Sequence, residues 1–266
     1  MSHAPPVILD ASPEGVGMLL LNRPEKHNAF NAHVIECLAD AFETVKAAEH
    51  LRVLFIRGAG RSFSAGADLD WMRAAAHYSQ RENEEDALAL AEMLRRLYEL
   101  PCLTVALIQG AAMGGGAGLA AACDVAAAVR SSMFRFSEVR LGLTPATISP
   151  YVIEKIGPGW TRALFATGEA FDAAKAERLG LVHHLVDDEA GLDALAERLT
   201  DLIMETAPGA VANAKALVRD LTGAPIDHAL ARETARRIAI QRSSDEGREG
   251  LAAYLEKRRP SWTPHS

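Results

Sequence analysis

Between Gly114 and Gly118 the chain reads "GGGAG", four glycines in five positions. Each glycine inside a regular element costs roughly 0.5–1 kcal/mol relative to alanine, so a cluster signals close backbone approach or a positive φ. The run follows "LTVALIQG" and precedes "LAAACD", which reads as a strand-to-helix turn. Free N–H groups and the helix dipole at such a turn favour an anion, or an oxygen on which negative charge develops. Taken alone, the stretch is equally compatible with tight packing of a helix on a strand. A second glycine turn, "SFSAGADLDWM" (62–72), leads into Asp68 and Leu69; by itself it is a loop with an aspartate at a helix start. Two such turns, each following a strand, could present one N–H each to a common point, the geometry of an oxyanion hole. Glu138, in "FRFSEVRLGL", supplies a carboxylate. Its apolar neighbours Phe134 and Phe136 would raise its pKa toward the range of a general acid or base, and the plainer reading is a solvated glutamate at a strand end.

The segment "GAGLAA" (116–121) also satisfies G-x-G-x-x-G/A, with Glu138 about twenty residues on. A dinucleotide fold needs a helix of about three turns after that motif. Here "DVAAAV" begins a new strand within a few residues, which argues against the nucleotide reading.

The elements that must position these residues alternate. "VGMLLLN" (16–22) reads as a buried strand, and "NAHVIECLADAFETVKAAEH" opens on Asn31 as an N-cap with Val34, Leu38, Ala41, Phe42 and Val45 at helical spacing. "RVLFIRGAG" (52–60) returns as a strand, giving a β–α–β start. A charged-faced helix then stops at Pro101 before the strand "CLTVALIQG". "DVAAAV" and "MFRFSEVRLG" are strand-like, and "ISPYVIEKIG" and "GWTRALFATG" have helical character. Asp172 caps a helix that ends at Gly180, and "LVHHLV" is short enough for an edge strand. The last ~65 residues are successive amphipathic helices without strands of their own, expected to dock on the core or on a neighbouring subunit. The alternation predicts an α/β fold.

The 266 residues, 49% of them hydrophobic, suffice for one large α/β domain with an appendage. A formal charge of −7 argues against a nucleic-acid or anionic-membrane surface. Three scattered cysteines indicate neither a zinc site nor a disulfide framework, and no stretch reads as a signal peptide or membrane span. The expectation is a soluble, cytoplasmic protein.

Together, "LNRPEKHNAFN", "SFSAGADLDWM", "GAAMGGGAGLAAACD" and "FRFSEVRLGLTPA" resemble the successive signatures of the crotonase family, the enoyl-CoA hydratases and isomerases. The likeness runs from about Leu19 to the terminal "GLAAYLEKRRPSW". It implies a crotonase-like spiral of β–β–α repeats over residues 1–200 and a helical trimerisation region over 201–266. A homotrimer or dimer of trimers is expected, with an acyl-CoA thioester as substrate. No separate cofactor is implied, because coenzyme A is part of the substrate. The backbone N–H groups matched to the family's oxyanion hole belong to Ala67 and Gly115. Contacts to CoA are implied for Lys26, His27, Ala29, Ala65, Asp68 and Lys257. The sequence departs from its relatives at Glu25 and Asp70, where lysine is common; Arg23, Arg258 and Arg259 are nearby substitutes.

Hydratases of this family use two glutamates. The second matches Glu138; the first position is Gly118. Hydration by Glu138 alone, proton shuttling as in a Δ3,Δ2-enoyl-CoA isomerase, and acyl-CoA binding without catalysis are the three readings. "GGGAGL" and "EVRLGLTPATISPYV" resemble the bacterial methylglutaconyl-CoA hydratases of leucine breakdown, which favours the first. A branched acid substrate would need a cation for its distal carboxylate, for which Arg140 is the candidate. Trp71, Met72, Met113 and Tyr151 are candidate pocket walls.

Overall fold

The computed structural model describes residues 4–263. Short apolar runs separated by amphipathic helices build a six-stranded, mostly parallel sheet. In chain order the elements are β1 (Val7–Ala11), β2 (Val16–Leu21), α1 (Ala32–Ala47), β3 (Val53–Gly58), α2 (Leu69–Ala75), α3 (Gln80–Tyr98), β4 (Leu103–Ile108), β5 (Ala111–Met113), α4 (Gly115–Ala122), β6 (Val125–Val129), β7 (Met133–Arg135), α5 (Ser149–Thr167), β8 (Ala170–Asp172), α6 (Ala173–Leu179) and β9 (His184–Val186), followed by the helices α7 (Glu189–Met204), α8 (Pro208–Leu221), α9 (His228–Ser243) and α10 (Asp245–Glu256). The large sheet has the order β1-β2-β3-β4-β6-β9, and β5, β7 and β8 form a second, three-stranded sheet. The antiparallel β1, which the sequence reading did not anticipate, pairs Leu9 with Leu19 at the edge of the large sheet.

The central strand β3 is covered on both faces: Val53, Leu54, Phe55 and Ile56 are all buried, as a near-continuous apolar run in a parallel sheet requires. Burial of each such side chain contributes about 1.5–3 kcal/mol. Helix α1 begins where expected, with Asn31 accepting from the Val34 amide, and buries Val34, Ile35, Leu38, Ala41, Phe42 and Val45 along one stripe. Helix α4 is different. It has only glycine, alanine and one leucine, and seven of its eight residues are buried, so it is a core helix whose small side chains let neighbouring backbone come close.

One expectation is corrected. "MFRFSEVRLG" is not one strand: β7 ends at Arg135, and Glu138–Leu141 form a 3-10 turn that closes on Gly142 at φ 73°. The Arg135 carbonyl accepts the Gly114 amide, and the Leu143 amide returns to the Glu138 carbonyl, so the ladder stops and the chain folds back. The two helical runs after it join as α5, kinked at Gly157 (φ 71°) immediately before Pro158.

The chain divides into two compact units, residues 1–197 and 198–266. The second consists of helices, with Glu246 accepting from the amides of Gly209 and Ala210 at the start of α8. Among the described residues no helix is long and apolar enough to cross a membrane.

Candidate active site

Two irregular segments and a third, strand β5, pair beyond the ends of β2, β3 and β4, and Asn28 organises the first of them. His27 and Asn28 both have left-handed backbone, at φ 50° and 55°, a region that asparagine tolerates better than most residues. The buried Asn28 amide donates to the carbonyls of Ala59 (2.9 Å) and Ser62 (2.7 Å) and its Oδ1 accepts from the Arg23 amide. That turn delivers Phe30 to the second segment. The Phe30 amide donates to Gly66 O (2.7 Å) and the Asp68 amide to Phe30 O (2.8 Å), bracketing Ala67 in a parallel bridge. Ser64 bridges to Ala112 in the same way, joining the third segment.

In a parallel bridge of this kind the bracketed residue's own N–H points away from its partner. The Ala67 amide therefore leaves the ladder, and it donates to no group among the described residues. The Gly115 amide stands at the first position of α4, one of the orphan donors of a helix start, and it too has no partner among the described residues.

The two amides belong to turns that touch through glycines. A Cβ on Gly66 (φ 89°) would come 2.9 Å from the Met113 carbonyl and 3.8 Å from Gly114 Cα. Gly114 itself has φ 48° and ψ −119°, and a Cβ there would lie 3.2 Å from Glu138 Oε1. Phe30 lies under the pair, with its ring 3.2 Å from where a Cβ of Gly115 would be.

The Glu138 carboxylate is thus set against Gly114. Its Oε2 is buried with no hydrogen-bond partner among the described residues, and burial pushes its carboxyl pKa up, with its own backbone amide a smaller opposing influence. The site combines two unspent backbone donors beside a helix N-terminus with one carboxylate of raised pKa. Such an arrangement can hold a carbonyl oxygen as it gains negative charge and move a proton at a neighbouring carbon.

Other residues singled out in the sequence play varied parts. Every polar group of Asp68 is used inside the chain: its carboxylate accepts from Arg23 Nη2 and the Asp70 amide, each at 2.8 Å, and its carbonyl accepts from Met72. Arg23 also donates to Ala29 O. Asp68 and Arg23 are therefore scaffold for the Ala67 turn. The Ala65 amide donates to the His27 carbonyl, and His27 Nδ1 lies 3.1 Å from Ser62 Oγ. Lys26 lies 3.2 Å from Asp70, both exposed, an attraction weak enough for a phosphate to compete with. Arg258 pairs with Glu249 and Glu256. Lys257 caps α10 in the second unit with left-handed backbone (φ 55°). Trp71 donates to Asp86, and Tyr151 packs on Tyr98. Residues that sequence reading passed over include the exposed Leu141 and Leu143, which follow Glu138 along the chain, and the buried Ile148.

Burial pushes the Asp68 carboxyl up, but the Asp70 amide and the Arg23 hydrogen bond, with the charges of Arg23 and Lys26, outweigh it and hold the group below the ordinary carboxylate range. A depressed acid contributes stability at neutral pH that is lost as pH falls through its folded-state value. Asp68→Asn is expected to cost about 2 kcal/mol at pH 7, because Arg23 is left half-buried without its counter-charge. Thermal melts at pH 7 and at pH 3 check this: the gap between the two proteins should narrow at the lower pH.

The fold and site define an α/β protein with paired backbone donors and a buried carboxylate. A family model described as Enoyl-CoA hydratase/isomerase matches residues 11–265, and the chain belongs to that family, with the crotonase fold. It is 31% identical over 252 residues to a crotonyl-CoA hydratase of Syntrophomonas wolfei, covering 94% of this chain and 95% of that one. It is 34% identical over 266 aligned positions to the enoyl-CoA isomerase/hydratase fer4 of Mycosarcoma maydis, covering 96% and 95%. The crystal structure of an enoyl-CoA hydratase from Shewanella pealeana superposes with a TM-score of 0.93 at 40% identity, over 97% of this chain and 96% of that one.

Proposed function

We propose that this protein is an enoyl-CoA hydratase that adds water across the 2,3 double bond of an acyl-CoA thioester. The observation that carries the reading is the pair of unspent amides at Ala67 and Gly115, on turns that touch, with the Glu138 carboxylate against the glycine between them. The thioester oxygen sits at the two N–H groups. Ionised Glu138 takes a proton from water, the oxygen of that water bonds to Cβ, and the double-bond electrons move through Cα to the thioester oxygen as an enolate. The enolate collapses, and Cα takes the same proton back from Glu138. Atoms balance with one water consumed, and CoA enters only as part of the substrate.

The acyl group favoured is branched and acidic, as in 3-methylglutaconyl-CoA of leucine breakdown. Arg140 lies two residues beyond Glu138; its Nε donates to Gly168 O (3.0 Å), and no carboxylate pairs with it among the described residues. CoA phosphates would meet Lys26, His27 and the backbone near Ala29 and Ala65. The second unit leaves Ile226, Tyr254 and Leu255 exposed, in keeping with assembly as a homotrimer or dimer of trimers. A cytoplasmic location belongs to the same proposal.

Gly118 supports a second reading. A single carboxylate suffices to move a proton between Cα and Cγ, as a Δ3,Δ2-enoyl-CoA isomerase does. The test is a panel of 3-methylglutaconyl-, crotonyl-, longer 2-enoyl- and 3-enoyl-CoA thioesters, resolved by chromatography and mass spectrometry. A gain of one water, fastest with 3-methylglutaconyl-CoA, is the expected result. A retention shift without mass gain would make the protein an isomerase, and no change in any thioester would refute both.

A further inference from the structure

Gly118 lies one helical turn beyond Gly115, its amide donating to Gly114 O at 3.0 Å. Side chains on a helix lean toward its N-terminus, so a residue here would lean toward the oxyanion turn. That space is already taken. A Cβ on Gly118 would fall 2.1 Å from Ile148 Cγ2 and 2.7 Å from Ile148 Cβ, and Ile148 is only 1% exposed.

Ile148 cannot simply turn aside. It stands at the N-cap position of α5, with the Val152 amide returning to its carbonyl and the Ser149 amide bonded to Ala146 O. A rotamer change would clear Cγ2 but not Cβ. The conflict therefore reaches backbone-anchored atoms, and alanine at 148 would not relieve it.

We propose that Ile148, seated on Gly118, is the specificity-determining residue that holds this site to one carboxylate. This rests on the hydration reading above. The isoleucine makes the α4 side of the site apolar and dry, so neither a second acid nor a water held by one can face Glu138 from there. Both proton transfers then run through Glu138. A two-carboxylate site would need a larger residue at 118 and a glycine at 148 together.

The test is the cycle of Gly118→Ala, Ile148→Gly and their double variant in the full chain, read by melting temperature and turnover, followed by G118E/I148G. Gly118→Ala alone is expected to lower the melting temperature by several degrees and turnover about 100-fold, as a misplaced oxyanion donor does, or to yield no folded protein. In the Ile148→Gly background the same change should cost little. Additive melting shifts, a harmless Gly118→Ala, or a double variant no better folded than Gly118→Ala would overturn the proposal. G118E/I148G should add a second ionisation to the pH profile of kcat/KM. An unchanged profile means that position 118 does not reach the reacting atoms, and failure to fold where G118A/I148G folds means that Ile148 is not what keeps a carboxylate out; either result overturns the proposal. Melting needs no substrate, so an inactive parent with the coupling intact would refute the hydratase reading and leave the packing relation standing.

Discussion

Glu138→Gln is expected to lower turnover about 10⁴-fold while the melting temperature at pH 7 to 8 rises. The activity loss is large because one carboxylate serves both as the base toward water and as the acid toward Cα; each such role contributes on the order of 10² to 10⁴. KM should change little, since the amides of Ala67 and Gly115 remain to hold the thioester oxygen. The parent's kcat/KM should fall on the acid side through the ionisation of Glu138, at a pH above the ordinary glutamate value because burial raises it, and this limb should vanish in the variant.

The stability gain follows from the same burial. A carboxyl whose folded pKa is raised binds its proton more tightly in the native state than in the unfolded chain. Stability therefore falls as pH climbs from the ordinary glutamate value through the raised one, and above it the full penalty stands. Glutamine removes the charge, with a gain on the order of 1 kcal/mol, about 2–4 °C for a chain of this size. Well below the ordinary glutamate value the two proteins should melt together. A lower melting temperature for the variant at pH 7 would mean that the carboxylate has a partner in solution, and the site as described would be wrong.

Gly114→Ala is the second large effect. With φ 48° and ψ −119°, Gly114 occupies a region closed to residues with a Cβ, and an alanine methyl would also crowd Glu138 Oε1. The turn must change to admit it, at a cost of about 1–3 kcal/mol, and the Gly115 amide moves with it. Loss of one oxyanion donor lowers turnover about 10² to 10³-fold. Unlike Glu138→Gln, this variant should keep the acid limb of its pH profile, because the carboxylate survives. Turnover at the parental level would exclude the Gly115 amide from the chemistry.

Much of the scaffold follows from local signals. Apolar runs of strand length, the caps Asn31 and Asp172, and the glycine stops at Gly168 and Gly180 act within a few residues of themselves. β1 escaped because a short run behind two prolines carries little periodicity, and its partner, β2, is what makes it a strand. The position of Glu138 at a turn escaped because the end of the β7 ladder depends on Gly114, which is remote in sequence. The dinucleotide motif fails for a related reason: its glycines lie inside α4 and not ahead of it.

What the sequence by itself determined is which residues could do chemistry: two glycine turns with donors to spare, and one glutamate among phenylalanines. Tertiary structure decided which donors stay unspent, that Gly66 and Gly114 meet, that Asp68 is consumed by Arg23, and that Ile148 fills the place beside Gly118. These are contacts between segments far apart in the chain. A backbone amide is free only when every neighbour that could accept from it has been placed, and a glycine's empty side shows its use only once the group that fills it is known.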